Sequence, residues 1–300
     1  MSVSFGVLLL QNRPVSELLD WARRFDEAGA DSVWVADHLA NPHALDHQWY
    51  EGWDLLSAMA GVTKQCRIGP LVTTFLLHSP LAMARHVVTV DALSAGRLDL
   101  GVGSGGAPVD RAAQNIEDAS MGELGDRLDH GLATLLALLD GEEISLPVVA
   151  EIADRPVPKT LSLATPSFQE RRIPIVIGGQ GHRTLDAAAK YADRWNVYRL
   201  GVGGGDARDE FRRDDESFVD RCQAIGRDPN AVVRSVLLDL SPVSSASGRA
   251  ELTEVVGRLS SWGFQEFIAY AWKSETFLRP PEDLLSFVAE DLPALRWQLA

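Results

Sequence analysis

The sequence predicts a (β/α)8 TIM barrel, an α/β fold in which eight parallel strands alternate with eight helices. Apolar runs of strand length alternate without a break with amphipathic stretches of helix length. Eight such units occupy 300 residues, close to the roughly 250 residues typical of these barrels. A doubly wound open sheet remains the alternative, because it shows the same alternation.

The first unit shows how each element is assigned. The continuous apolar run 3–10 predicts a strand buried on both faces, and Ser16 is expected to cap a helix that Gly29 ends. The other predicted strands have similar apolar character: 32–36, 67–73, 97–102, 173–177, 194–197, 232–238 and 264–270. The predicted helices alternate with them: 16–28, 55–62, 80–93, 127–139, 184–191, 211–225, 251–262 and 281–296.

One stretch departs from this rhythm. Residues 142–172 contain several prolines and no clean period. We interpret them as an insertion after the fourth helix, at the mouth of the barrel. The chain is therefore predicted to be a single barrel domain over residues 1–300.

The charge balance excludes some classes of partner. The chain carries 28 Lys and Arg against 42 Asp and Glu, a net charge of −14. Nucleic acids and anionic membrane surfaces attract clustered cations, so neither is an expected partner. The apolar run 5–10 is too short for a membrane span and has no basic residue before it, and the protein is expected to be cytoplasmic. Cys66 and Cys222 are then expected to be buried free thiols.

A glycine-rich stretch follows the fourth predicted strand. Residues 101–106, GVGSGG, match the G-x-G-x-x-G pattern. That pattern indicates a dinucleotide site when it follows the first strand of a βαβ unit and opens a helix directly, which it does not do here. A tight turn is a second interpretation. Close approach of the backbone to a flat cofactor is the third and is favoured, since glycine removes the side chain that would block it.

A second glycine-rich turn, residues 178–184 (GGQGHRT), runs directly into a predicted helix. Free N–H groups and the helix dipole favour a phosphate at a helix start. Arg183 and the hydroxyl of Thr184 add donors of the right kind. A capped turn that binds nothing is the alternative.

Asp37 and His38 end the second predicted strand, where a barrel places functional side chains. Taken alone, His38 is equally consistent with an ordinary rim residue. His43 and His47 follow with Asp46 in the same loop and raise a metal hypothesis. The first strand lacks the paired ligands of barrel metal hydrolases, so no metal is expected.

Three motifs in fixed order resemble the bacterial luciferase-like superfamily of flavin- and deazaflavin-dependent oxidoreductases. Residues 16–39 (SELLDWARRFDEAGADSVWVADHL) look like its first helix and second strand. Residues 67–105 (RIGPLVTTFLLHSPLAMARHVVTVDALSAGRLDLGVGSG) look like its third and fourth units. Residues 174–196 (PIVIGGQGHRTLDAAAKYADRWN) look like its phosphate-binding segment. After Val197 only the rhythm of the elements matches.

The resemblance implies a flavin-like ring over the barrel mouth, against the third and fourth strand ends. It implies that His38 is the catalytic acid or base, and that the non-proline cis peptide of many members falls near Leu71-Val72. The cofactor-binding residues that it implies are Asp37, Leu71, Val72, Thr73, Gly103, Ser104, Gly105, Gly178, Gly179, Gln180, Gly181, His182, Arg183 and Thr184.

The choice of cofactor depends on the Asp37-His38 pair. It is similar to the branch that uses coenzyme F420, whereas FMN enzymes of the luciferase type tend to carry Glu-His here. F420 is therefore preferred over FMN. Sugar-phosphate dehydrogenases of the F420 branch have an acidic residue after the position of Gly105, and this chain has Gly106 there, which puts assistance by that acid in doubt.

By the same resemblance the protein is an oxidoreductase that transfers a hydride to or from a small organic substrate. The alternative is a monooxygenase that uses O2 and FMNH2, with a flavin reductase as the partner that supplies the FMNH2. A non-catalytic cofactor-binding relative and a barrel hydrolase or lyase using His38 are the other classes considered. Family members usually pair, so a homodimer is expected; Leu55, Leu56 and Met59 are candidate contacts, although core packing explains them equally well.

Overall fold

Strands and helices alternate along the residues that the computed structural model describes, which are 3–146, 159–200, 205–239, 248–272 and 281–299. The strands are β1 (Ser4–Leu9), β2 (Ser32–Val35), β3 (Arg67–Pro70), β4 (Thr73–Thr74), β5 (Leu100–Gly103), β6 (Ile144–Ser145), β7 (Thr160–Leu161), β8 (Ile175–Gly178), β9 (Arg194–Leu200), β10 (Val233–Asp239) and β11 (Glu266–Tyr270). The helices are α1 (Val15–Ala28), α2 (Gly52–Val62), α3 (Pro80–Leu93), α4 (Pro108–Ala113), α5 (Met121–Leu139), α6 (His182–Tyr191), α7 (Gly205–Ala224), α8 (Gly248–Ser260), α9 (Pro281–Ser286) and α10 (Leu292–Leu299). A 3₁₀ turn at Pro229–Ala231 and a π-helical turn at Phe287–Asp291 complete these elements.

The pairing of the first strand with the last distinguishes a barrel from an open sheet. The main sheet has the order β3-β2-β1-β11-β10-β9-β8-β5-β4, and its strand pairs are parallel. β1 pairs with β11 from Ser4 opposite Glu266 to Leu8 opposite Tyr270. An open doubly wound sheet leaves its outer strands unpaired, so the (β/α)8 barrel is confirmed.

The two strands at the ends of this order are parts of one interrupted strand. β3 ends at Pro70, the Leu71-Val72 peptide is cis, and β4 resumes at Thr73. A bridge between Ile68 and Leu98 joins β3 to the residues ahead of β5. The barrel therefore closes through its third strand, and the predicted position of the cis peptide is confirmed.

Several predicted boundaries shift by a few residues. The fourth strand was expected from Arg97, but it begins at Leu100, because residues 97–99 are joined to their neighbour by the single bridge. Helix α1 has Pro14 as its N-cap, so Ser16 lies inside the helix and does not cap it. The helix expected from 127 begins six residues earlier, behind a capping box formed by Ser120 and Glu123.

The insertion expected at the mouth lies elsewhere, as far as the structure describes it. Residues 147–158 are outside the described residues; on either side of them β6 and β7 form an antiparallel pair. The backbone N–H groups of Phe168 and Gln169 donate to the Asp91 carboxylate at the end of α3, and the Gln169 side chain donates to the Leu98 carbonyl. These contacts lie at the amino ends of the strands. A segment between a helix and the next strand begins at that end, because each helix runs antiparallel to its strand.

A buried network of charges fills the amino end of the barrel interior. The fully buried carboxylate of Asp99 accepts from Arg67 Nε at 2.6 Å and from Arg194 Nη1 at 2.5 Å. The buried Glu266 faces Arg194 at 3.6 Å. Burial raises the pKa of Glu266, and the Arg194 charge and a hydrogen bond from Ser235 offset this only in part. The network joins the starts of β3, β9 and β11 to the residue before β5.

The structure also bears on the predictions made for the two cysteines and for membrane-spanning segments. Cys66 and Cys222 are free and buried, as expected, and burial raises the pKa of both thiols. Among the described residues, none of the helices has the length and apolar character needed to cross a bilayer.

Asp99→Asn is expected to lower the free energy of unfolding by about 3–5 kcal/mol, because two partly buried guanidinium groups lose their shared carboxylate. Urea denaturation followed by circular dichroism measures the loss. Asp129→Asn is the control, since the Asp129–Lys190 pair is half exposed and exposed pairs contribute less than about 1 kcal/mol. Equal, small losses in both variants would contradict a structural role for the buried network.

Candidate active site

The predicted site residues come together at the carboxyl ends of neighbouring strands. In the sheet register Thr74 lies opposite Gly103, and Gly103 lies opposite Gly178. Asp37 follows β2 and is tied to this group by the Thr73 hydroxyl, which donates to Asp37 Oδ2 at 2.5 Å. The strand ends that sequence analysis singled out therefore form one face of the barrel.

His38 has a partner that sequence analysis missed. Its Nδ1 lies 2.7 Å from Asp110 Oδ2, and Asp110 Oδ1 accepts from the backbone N–H of Leu39 at 2.9 Å. Asp110 is 1% exposed, whereas the His38 side chain is 29% exposed. Because a carboxylate only accepts, the neutral imidazole carries its proton on Nδ1. This leaves Nε2 as the nitrogen that can accept a proton from a bound molecule.

The sequence carried a signal for Asp110 that was not used. The acid that sugar-phosphate dehydrogenases carry comes directly after the position of Gly105, where this chain has Gly106. Asp110 comes four residues later, in the first turn of the short helix α4 that Pro108 opens. An acid in the first turn of a helix at the barrel mouth is the pattern that would have indicated it.

The backbone around His38 is fixed from two sides. Trp49 Nε1 donates to the His38 carbonyl at 2.8 Å. Gln11, just after β1, pairs with both backbone groups of Ala36, since its amide N–H donates to the Ala36 carbonyl and its oxygen accepts from the Ala36 N–H. The side chain of His38 therefore projects from a strand end with little backbone freedom.

Asp37 is buried and already engaged. Its Oδ2 accepts from Thr73 Oγ1 and lies 2.9 Å from His78 Nε2. Glu51 completes a group, called here the Asp37 cluster (Asp37, Glu51 and His78), whose ligand atoms all lie within 4.8 Å of one another. His78 Nε2 and Asp37 Oδ2 are joined by a direct hydrogen bond, which is the geometry of an ion pair between a histidine and a carboxylate. His43, His47 and Asp46, the other residues considered for a metal, are not among the members of this cluster.

The glycines of the fourth and fifth strand ends make room for protein atoms. A Cβ at Gly103 would lie 2.6 Å from Val72 Cγ2, and one at Gly178 would lie 2.9 Å from Val72 Cγ1. Gly105 has φ +82°, and a Cβ there would lie 2.5 Å from Thr74 Oγ1. The expectation that the glycines of residues 101–106 let the backbone approach a flat cofactor stays a prediction, and at Gly103 and Gly105 the space that a side chain would need is taken by Val72 and Thr74.

The 178–184 turn has the features of an anion site at the start of α6. Gly179 has φ +129° and is held by Asn196 and Trp195, which bond to its N–H and its carbonyl. The N-cap of α6 is Gly181, which has no side chain to accept from the first N–H groups of the helix. Those groups and the helix dipole are the donors a phosphate requires.

The side chains of this turn point to several partners. Arg183 packs against Gly125, at the place where a Cβ of residue 125 would lie, and its Nε lies 3.5 Å from Asp126 Oδ1. Thr184 is buried against Gly179. Two further polar members are paired with acids: Gln180 with Asp214 at 3.1 Å, and His182 with Asp186 at 3.3 Å. The backbone N–H groups and the Thr184 hydroxyl, which makes no hydrogen bond to the other described residues, are therefore the donors left at the helix start.

Comparison with known proteins decides the family. The family model described as luciferase-like monooxygenase matches residues 3–275. The chain belongs to the luciferase-like monooxygenase family. Within it, an F420-dependent glucose-6-phosphate dehydrogenase of Amycolatopsis mediterranei is 32% identical over 187 residues, which are 59% of this chain and 50% of that protein. The match thus spans about half the length of this relative.

Solved structures of luciferase-like proteins share the fold. An F420-dependent secondary alcohol dehydrogenase in complex with an F420-acetone adduct superposes with a TM-score of 0.77, at 16% identity, over 98% of this chain and 99% of that one. The oxygenating constituent of 3,6-diketocamphane monooxygenase from Pseudomonas putida, in complex with FMN, superposes with a TM-score of 0.69 at 15% identity, over 97% and 98% of the two chains. At these identities the likeness shows the barrel alone.

Asp110→Asn is expected to change the tautomer of His38. The Asn amide can present an N–H to Nδ1, so the proton of the neutral ring is free to move to Nε2. Two-dimensional 15N spectra of the labelled imidazoles distinguish the two tautomers. Asp126→Asn, at an exposed position on α5, is the control. Finding the proton of the neutral His38 ring on Nε2 in the wild-type protein would contradict its assignment to Nδ1.

Proposed function

We propose that this protein is an oxidoreductase that binds coenzyme F420, or alternatively FMN, and transfers a hydride to or from a small organic substrate. The observation that carries the proposal is the His38–Asp110 pair at the same barrel face as Asp37 and the 178–184 turn. The match to the luciferase-like family over residues 3–275 supports it, as does the similarity to an F420-dependent dehydrogenase.

The residues of this chain fit such a cofactor. The N–H groups at the start of α6 would hold a phosphate, since Gly181 offers them no competing acceptor. Asp37 would contact the ring, and residues 71–73 and 103–105 would form the surface against it. When bound, the deazaflavin or flavin ring supplies the hydride chemistry, and the protein supplies orientation and proton transfer.

His38 is proposed as the acid or base that moves the proton accompanying the hydride. A substrate hydroxyl that loses hydride from its carbon must also lose its proton, and Nε2 is the acceptor that the Asp110 bond leaves available. The Asp110 carboxylate would stabilise the resulting imidazolium and hold the ring in place. In the reverse direction the same nitrogen would return the proton to a carbonyl oxygen.

The second candidate is an FMNH2-dependent monooxygenase using O2, which would need a flavin reductase as partner. The FMN complex of the diketocamphane monooxygenase favours it at the level of the fold. The absorption spectrum of the cofactor that copurifies with the protein separates F420 from FMN. Protein that binds neither cofactor would favour the hydrolase or lyase class, and binding without turnover would favour a non-catalytic relative.

His38→Ala is expected to lower the single-turnover rate by about 10²–10⁴-fold, the usual contribution of general acid–base catalysis. Cofactor affinity should change little, because the 178–184 turn is intact. Both quantities are measured on one preparation, by rapid mixing and by fluorescence titration. Unchanged turnover, or a loss of affinity as large as the loss of rate, would remove His38 from this role.

Gly179→Asp is expected to abolish binding of F420 and of FMN. The φ of +129° at Gly179 disfavours any side chain, and the added carboxylate would repel a phosphate at the helix start. Fluorescence titration measures the affinity. Gly141→Asp, at a glycine that also has positive φ but lies at the end of α5, controls for backbone strain. Wild-type affinity in Gly179→Asp would refute the phosphate assignment.

We further propose a cytoplasmic homodimer in which residues 1–300 form one barrel domain with an insertion at about 142–172. Leu55, Leu56 and Met59 are at most 4% exposed in the single chain, so they belong to the core and leave the pairing to other residues. Sedimentation at micromolar concentration tests the dimer, and a monomer there would contradict it.

A further inference from the structure

In the Asp37 cluster the hydrogen bonds to the Asp37 carboxylate fall on one of its two oxygens. Thr73 Oγ1 and His78 Nε2 both bond to the same oxygen of Asp37, Oδ2. Among the described residues no hydrogen bond reaches Asp37 Oδ1. Two donors on one oxygen fix the rotation of the carboxylate and leave the second oxygen available to a ligand.

Glu51 is brought to this cluster by the packing of α2. Its carboxylate caps the helix by accepting from the Asp54 N–H at 2.6 Å, which holds the side chain in place. The next residue is Gly52, where a Cβ would lie 2.6 Å from the Ala36 carbonyl oxygen. Glycine at this position therefore lets the first turn of α2 approach the end of β2, and Glu51 comes within reach of Asp37 and His78.

His78 lies between two carboxylates. Burial lowers the pKa of His78, but the hydrogen bond and charge of Asp37 and the charge of Glu51 outweigh burial, and the net direction is upward. Burial, with the charges of Asp37 and Asp54, raises the pKa of Glu51. From α3, His86 meets His78 edge to face with 5.6 Å between the ring centroids. Burial and the His78 charge lower the pKa of His86, so of these two histidines His78 is the one whose protonated form its surroundings favour.

We propose that His78 is a positioning residue for Asp37, holding Oδ2 by its Nε2–H and balancing the carboxylate with its positive charge, so that Oδ1 accepts an N–H of the cofactor ring. This inference rests on the proposed function, in which Asp37 contacts the ring. His78 itself acts through Asp37 and does not touch the reacting atoms.

The test compares His78→Gln and His78→Leu with wild type by titrating F420, and in parallel FMN, from pH 5.5 to 9. Gln places a neutral N–H donor near the position of Nε2, whereas Leu removes both donor and charge. His130→Leu, at an exposed position on α5, is the matched control. Imidazole 15N spectra of the cofactor-free protein report the charge state of His78 independently of any activity.

Three levels of affinity are expected. Wild type binds most tightly while His78 is protonated, and its affinity falls as pH rises through the raised pKa of His78. His78→Gln lacks this step and binds at all pH values like wild type at high pH. His78→Leu binds more weakly by about tenfold or more at neutral pH, the effect of losing a hydrogen bond to a charged group. A pH dependence caused by titration of the cofactor itself would persist in His78→Gln, so the variant separates it from the step that His78 causes.

Each contrary result has a distinct meaning. Wild-type affinity and pH profile in folded His78→Leu would overturn the positioning role, while weak binding by Gly179→Asp would keep the proposed function. A pH step that persists unchanged in His78→Gln would assign the step to another group and also overturn the role. Wild-type protein that binds neither F420 nor FMN would refute the proposed function itself.

Discussion

The parallel pairing of β1 with β11 is the contact on which the site depends. It joins the first unit to the last, so the carboxyl ends of strands far apart in sequence meet on one face of a closed cylinder. His38 and Asp110 are 72 residues apart, and the 178–184 turn is another 68 residues on, yet the same face of the barrel holds all three. In a parallel barrel the strand ends are fixed by the sheet, and loops need only place a side chain over a short distance.

Charge is distributed between the two ends of this barrel for different reasons. At the amino end, Asp99, Arg67 and Arg194 satisfy one another almost completely, and the result is a rigid closure of the interior. At the carboxyl end Asp110 uses both oxygens, on His38 Nδ1 and on the Leu39 N–H, whereas Asp37 has only one oxygen engaged by the described residues. Each end nevertheless keeps one carboxylate oxygen that no hydrogen bond from the described residues reaches: Glu266 Oε2 at the amino end and Asp37 Oδ1 at the carboxyl end.

The sequence predicts the order of the elements well because buried strands and amphipathic helices have different periods. It also predicts that the candidate site residues share one face of the barrel, since strand ends can be located from those periods. What it misses are pairings that depend on how loops fold back. Asp110 reaches His38 only because α4 turns over the mouth, and Glu51 reaches Asp37 only because Gly52 admits close packing. The insertion was expected at the mouth, but its described residues 168 and 169 bond to Asp91 and Leu98 at the amino end, the end at which a segment between a helix and the next strand begins. Arg183 lies 3.5 Å from Asp126 in an exposed contact with a neighbouring helix, and its role as a phosphate donor stays a prediction.

The space that Val72 fills above Gly103 and Gly178 links three positions from three different units of the barrel. A methyl group gained at either glycine would need one removed at 72, so mutations at these sites cannot be accepted independently. Among homologous sequences the three positions should covary, with a smaller residue at 72 wherever 103 or 178 is enlarged. In the evolution of the family the substitution to a smaller residue at 72 would then come before the enlargement of 103 or 178, because the opposite order would overpack the centre of the mouth.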